Sequence, residues 1–215
     1  HIRAGEIYGF IGHNGAGKTT TIKSCCGILQ FEEGEIYVDG VSIREDPIGC
    51  KRKIAYLPDN PDLYEFLSGV QYLNFIADVY GVSKEEREQR IKEYADLFGL
   101  TEDLAQPISA YSHGMKQKVA IISALVHEPK LLVLDEPFVG LDPKAALDLK
   151  NIMKELCRQG SAIFFSTHVL EVAQKLCNKI AIIKDGKLVT SGNMEEVVKN
   201  QSLEDIFMEV TTDDK

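Results

Sequence analysis

The sequence predicts an α/β fold: a mostly parallel sheet covered on both faces, with a small antiparallel β hairpin region and an inserted helical lobe. Three observations carry this. Gly12-His13-Asn14-Gly15-Ala16-Gly17-Lys18-Thr19 fits G-x-x-x-x-G-K-[ST], the phosphate-binding loop that joins a strand to a helix. Leu131-Leu132-Val133-Leu134 is apolar at every position, as a strand buried on both faces requires. Strand and helix patterns alternate on either side of a central helical stretch, which gives a parallel sheet with crossover helices.

Each element follows from local pattern. Glu6 to Ile11 reads as a strand entering the loop, Thr20 to Cys26 as the helix leaving it, and Gly27 as its stop. Glu35-Ile36-Tyr37-Val38 and Val41-Ser42-Ile43 flank Asp39-Gly40, a two-residue hairpin signal. Lys53 to Leu57 is a further strand, stopped by Pro58. From Pro61 to Pro107 the pattern is helical: Ser83 and Glu86 make a capping box, Ile91, Tyr94, Ala95 and Phe98 follow at helical spacing, and Gly99 ends the helix. A helix from about Ser112 to Val126 places Met115, Val119, Ile122 and Val126 on one face. Asp142-Pro143 opens another helix, with aspartate as cap and proline at the first helical position. Ala162 to Phe165 is a buried strand, followed by a short helix carrying Val169, Val172, Ala173 and Leu176. Lys179 to Ile183 and Lys187 to Val189 form a hairpin around Asp185-Gly186, and a helical tail with a charged end follows from Glu195. The expected organisation is an α/β core over 1–60 and 111–190, a helical lobe over 61–110 and a tail over 191–215. The first residues enter the loop strand almost at once, which reads as a trimmed domain lacking its N-terminal strands and any upstream aromatic for a base.

Composition bounds the function. The chain has 215 residues, 44 % of them hydrophobic, enough for one large domain with a real core. No apolar run approaches the ~18 residues of a membrane span. The net charge of -9 argues against nucleic acid as a partner. Five cysteines, Cys25, Cys26, Cys50, Cys157 and Cys177, form no C-x-x-C pair, so reduced thiols are expected rather than a disulfide framework or zinc site.

The residues that bear chemistry are few. Glycines let the loop backbone wrap a polyphosphate, so that successive N–H groups from Gly12 to Thr20 point at it. Lys18 adds a point charge, Thr19 offers a hydroxyl to Mg2+, and the helix N-terminus faces the anion. The apolar strand delivers Asp135 and Glu136 to the carboxyl edge of the sheet, where ligands of open α/β sheets bind. Asp135 can hold magnesium and Glu136 can polarise an attacking water. Alone, two acids at a strand end would read as ordinary surface charge; paired with the phosphate loop they read as catalytic. His168 ends the next strand within reach of a γ-phosphate, although a lone histidine is more often a hydrogen-bonded surface residue. Ser112 reads as an N-cap, and helix N-termini also bind anions; the two readings are compatible.

Together these residues resemble the ATP-binding subunit of an ABC transporter. The resemblance covers nearly the whole chain in order: the phosphate loop, Ile54 to Asp59, the signature Tyr111-Ser112-His113-Gly114-Met115, the strand ending in Asp135-Glu136, the turn Gly140-Leu141-Asp142, and His168. It implies a P-loop NTPase (RecA-like) core that binds ATP and Mg2+, with Glu136 and His168 catalytic and Thr19, Asp59 and Asp135 at the metal. It implies a homodimer or paired ATPase subunit, with Ser112, His113, Gly114 and Met115 of one copy capping the γ-phosphate held by the other and Asp142 at the seam. An integral-membrane permease would be driven through the helical lobe, placing the subunit in the cytoplasm at the inner face of the membrane. The tail Ser202 to Phe207 resembles subunits of bacterial exporters. Three departures stand out: Asp59 replaces the family's usual glutamine, and His113 and Met115 replace glycine and glutamine of the signature. A soluble regulatory ATPase of the same family is the alternative, and a small-molecule kinase is disfavoured by the signature and Glu136.

Overall fold

A computed structural model describes residues 1–199 and 201–212. Nine α-helices and eight strands are described, in the order β1 (Ile7–Ile11), α1 (Lys18–Cys25), β2 (Tyr37–Val38), β3 (Val41–Ser42), α2 (Pro47–Lys53), β4 (Ile54–Leu57), α3 (Gly69–Val79), α4 (Lys84–Phe98), α5 (His113–Leu125), β5 (Leu131–Asp135), α6 (Pro143–Arg158), β6 (Ala162–Thr167), α7 (Leu170–Leu176), β7 (Lys179–Lys184), β8 (Lys187–Asn193), α8 (Met194–Val198) and α9 (Leu203–Thr212). The charged end expected of the tail lies beyond residue 212, outside the described residues.

The main sheet has six strands in the order β4-β5-β6-β1-β7-β8. The first five run parallel; β8 returns antiparallel to β7 with an irregularity between Ile182 and Ile183. β2 and β3 form a separate two-stranded sheet around the expected Asp39-Gly40 turn. Side chains alternate across the sheet, as strand geometry dictates. Ile7, Ile11, Leu132, Leu134, Ile163, Phe165, Ile180 and Ile182 enter one apolar cluster, with α5, α6 and the helical lobe. Phe10, Val133, Phe164, Ala181 and Ile183 enter the other, with Ile22 and Cys26 beneath the phosphate loop. That two-sided burial is why the central strands read as continuous apolar runs.

Caps set the helix boundaries. Ser83 and Glu86 exchange both bonds of a capping box at α4, and Gly99 ends that helix. A second capping box, Ser68 with Gln71, starts α3. Helix α2 was not anticipated from the sequence: Asp46 accepts from the Gly49 N–H at 2.8 Å and Pro47 occupies the first turn, but only seven residues follow. A helix this short carries too little periodicity to separate it from a loop. The helical stretch between β4 and α5 is tied together by backbone bonds from Val70 N to Leu104 O and from Ile108 N to Leu67 O, each 2.9 Å. All five cysteines are free, and among the described residues no cluster of His, Cys, Asp and Glu has the makings of a metal site. No described helix is long and apolar enough to cross a membrane.

Candidate functional site

Strand register brings the chemistry to one edge. β1, β5 and β6 are parallel neighbours, with Ile11 opposite Thr167 and Asp135 opposite Ser166. Their carboxyl ends therefore deliver the phosphate loop, Asp135-Glu136 and His168 to the same place, the edge at which open parallel sheets bind ligands.

The loop is a close-packed turn. A Cβ on Gly12 would meet Ile183 O at 2.7 Å and Ala16 Cβ at 3.0 Å, so only glycine fits there. Ala16 O accepts from Gly186 N at 2.9 Å, which fastens the loop to the β7–β8 turn. His13 approaches Asp185 of that same turn at 3.8 Å. Asn14 and Gly15, like His13, face solvent. Lys18 is buried, its Nζ donating to Gly12 O at 2.7 Å and to His13 O at 3.3 Å. Thr19 and Thr20 open α1, and their residues are exposed beside the loop.

A network joins loop to carboxylates. Thr19 Oγ1 donates to Asp135 Oδ2 at 2.6 Å. Asp135 is 1 % exposed, and its other oxygen accepts from Ser166 Oγ. Ser166 in turn takes the Glu136 N–H on its own Oγ at 3.1 Å. Glu136 Oε1 stands 3.5 Å from Lys18 Nζ, and Oε2 stands 3.0 Å from His168 Nδ1. The backbone of Glu136 has φ 49°, in the left-handed region that a non-glycine residue avoids. Strain of this kind costs on the order of 1–3 kcal/mol and concentrates at functional sites. Here it turns the side chain of Glu136 from the strand end toward Lys18 and His168.

Several participants were not singled out from sequence. Ser166 positions both acids; its signal was a polar residue closing an apolar strand. Tyr56 on β4 is half-buried, with its hydroxyl shut away from solvent and without a partner, and burial, then the Asp135 carboxylate, raises its phenol well above the ordinary range. Asp59 follows β4 one strand away, exposed, its Oδ1 accepting from Asn60 N at 2.8 Å. The donor set around Thr19 and Asp135 consists of hard oxygens and suits a divalent cation such as magnesium.

The signature residues form a second locus. Ser112 caps α5, accepting from Met115 N at 3.3 Å. His113 lies against the turn before α6, close enough that a Cβ on Gly140 would stand 2.8 Å from its ring. Gly114 abuts the same turn: a Cβ there would meet Gly140 O at 3.3 Å. Asp142 caps α6 through Ala145 N and pairs with Lys118 at 2.8 Å; the Lys118 ammonium holds its carboxyl below the usual carboxylate range. Among the described residues no hydrogen bond or ion pair links Ser112, His113, Gly114 or Met115 to the phosphate loop.

Known proteins share this architecture. The family model described as ABC transporter matches residues 1–139. The ABC-type transporter ATP-binding protein EcsA of Bacillus subtilis (strain 168) is 36 % identical over 99 % of this chain and 88 % of its own. The uncharacterized ABC transporter ATP-binding protein YhcH of the same organism is 39 % identical over 91 % of this chain, which spans 63 % of YhcH. A solved ATP binding subunit of an ABC transporter superposes with a TM-score of 0.94 at 36 % identity, covering 97 % of this chain and 89 % of that one. A dimeric ATP-binding cassette in a post-hydrolysis state, bound to ADP and Pi, gives 0.82 at 25 % identity, covering 90 % and 88 %. The chain belongs to the ABC transporter family, as an ATP-binding subunit with the family's ATPase domain.

Proposed function

We propose that this chain pairs with a second ATPase subunit around ATP and converts hydrolysis into work on a membrane permease, in the export direction. The observation that carries the chemistry is the continuous network from Thr19 and Lys18 through Asp135 and Glu136 to His168. Loop amides, Lys18 and the start of α1 grip the phosphates. Thr19 and Asp135 would hold magnesium, with Asp59 as a further oxygen ligand; bound there, the ion would neutralise charge on the phosphate oxygens. Glu136 takes a proton from the attacking water, and His168 orients the Glu136 carboxylate. Lys18 passes from Glu136 to the substrate's γ-phosphate, which frees that carboxylate to act as base. Ser112 and Gly114 of the paired subunit supply donors to the same γ-phosphate, with His113 and Met115 flanking them and Asp142 at the seam. This agrees with the separation of the signature from the phosphate loop within one chain.

The permease reading rests on the helical lobe. Its connection to β4 runs from Asp59, at the nucleotide edge, into an exposed aromatic surface at Tyr64 and Phe66. In this reading the segment would carry a displacement at Asp59 to that surface. Such a subunit works in the cytoplasm at the inner membrane face. The export direction rests on the resemblance of the tail around Ser202 to Phe207.

The test is Glu136→Gln. ATP binding should persist, hydrolysis should slow by roughly 100-fold or more, in line with loss of a general base, and a stable dimer should accumulate with ATP on size exclusion. Unchanged turnover would remove Glu136 from its role.

A further inference from the structure

The signature carries a large side chain where glycine is usual. His113 stands between Ser112 and Gly114: Ser112 is the cap of α5, and His113 and Gly114 are its first two helical residues. Ser112 and His113 are both exposed. An imidazole in that place has to be kept to one side, or it covers the groups that flank it. Polar contacts do not hold it: among the described residues the His113 side chain makes no hydrogen bond or ion pair.

The ring rests on the turn before α6. A Cβ on Gly140 would stand 2.8 Å from both Cδ2 and Nε2 of His113. Unbonded carbon atoms settle about 3.5–4.0 Å apart, so a methyl group and this ring position exclude each other. The turn is fixed from several sides. Asp142 accepts from Ala145 N at 2.8 Å and pairs with Lys118 of α5 at 2.8 Å. Val139 N donates to Glu136 O at 3.2 Å, and Gly140 O backs onto Gly114, where a Cβ would meet it at 3.3 Å. The imidazole, held only by contact, is the part that gives way. Gly140 also has φ 79°, a left-handed backbone that favours glycine for its own reason. The two reasons are separable. Backbone strain acts whatever residue occupies position 113, whereas the collision needs the ring.

We propose that Gly140 is a positioning residue for the signature: its bare Cα is the seat that keeps the His113 imidazole clear of the phosphate donors Ser112 and Gly114. The proposal rests on the pairing reading above and adds the residue that lets this chain carry histidine between those donors.

The experiment measures Gly140→Ala in two backgrounds, the chain as it stands and His113→Gly. With His113 present, the substitution should lower ATP turnover by about 10-fold or more, the scale on which misplaced groups act. It should also weaken the ATP-driven dimer of Glu136→Gln on size exclusion. In the His113→Gly background the same substitution should cost less than about 2-fold in either measurement, the non-additivity expected of residues in contact. The urea midpoint should fall equally in both backgrounds, because it reads the backbone strain. Equal turnover losses in both backgrounds would reduce Gly140 to a backbone requirement and overturn the proposal. So would the absence, in the unsubstituted protein, of a nuclear Overhauser contact between the His113 ring and the Gly140 Hα atoms. If Glu136→Gln forms no ATP-dependent dimer, the pairing reading fails and this proposal fails with it. A dimer that Gly140→Ala weakens equally with and without His113 removes the seat alone.

Discussion

At the scale of single residues, the site is organised around two acids with different surroundings. Asp135 is buried and fully bonded, through Thr19 and Ser166; Glu136 is partly open and faces Lys18 and His168. A buried carboxylate fixed by hydroxyls suits a metal ligand, while a reachable one suits a base. Ser166 is the hinge between them, since one hydroxyl donates to Asp135 and accepts from the Glu136 backbone. Ser166→Ala should therefore lower the ATP turnover number by ~10–100-fold, the usual range for losing a partner of a ligand, with a smaller change in nucleotide affinity. Steady-state hydrolysis and nucleotide titration measure the two effects separately. Equal losses in both would make Ser166 a binding residue instead.

At the scale of elements, the lobe and the sheet are stabilised by different means. Helix α4 is polar over most of its surface, burying only Ile91, Ala95 and Phe98, so it depends on its termini. Ser83→Ala removes the side-chain half of its capping box, the bond that Ser83 Oγ accepts from Glu86 N, and should lower stability by about 1 kcal/mol, read as a shift in the urea midpoint. Nucleotide affinity should not change, because α4 contributes no residue to the network at Lys18. A parallel loss of affinity would show that lobe and site fold as one unit. The phosphate loop is held by long-range contacts instead: the β7–β8 turn bonds Ala16, and Ile183 leaves no room beyond hydrogen at Gly12.

At the scale of the whole molecule, His127 lies where lobe and sheet meet. Its ring stacks on Tyr80 at 3.6 Å, and Tyr80 donates to Ile54 O of β4 at 3.4 Å. Burial pushes the imidazole down to about 4, from about 6.5 in an unfolded chain. The unfolded chain thus binds a proton that the folded chain excludes between those values. The contribution of His127 to stability is full above pH ~6.5 and is lost as pH falls toward 4, amounting to about 3 kcal/mol. His127→Phe keeps the stacked ring and should flatten this part of the pH–stability curve, measured by urea unfolding between neutral and acid pH. An unchanged slope would place the acid sensitivity in other groups.

Much of this was legible along the chain. The phosphate loop, the caps at Ser83, Ser112 and Asp142, and the two-sided apolar strands are local or periodic features, and backbone sterics and hydrogen bonding act on them locally. The order of motifs was enough to recognise the family. Strand order was not legible, because a parallel sheet pairs residues more than a hundred positions apart, as β1 does with β6. Nor were the left-handed backbone at Glu136, the role of Ser166 or the seating of the His113 ring on Gly140. Each depends on which segments pack together, and burial and register, which decide that, are properties of the assembled fold.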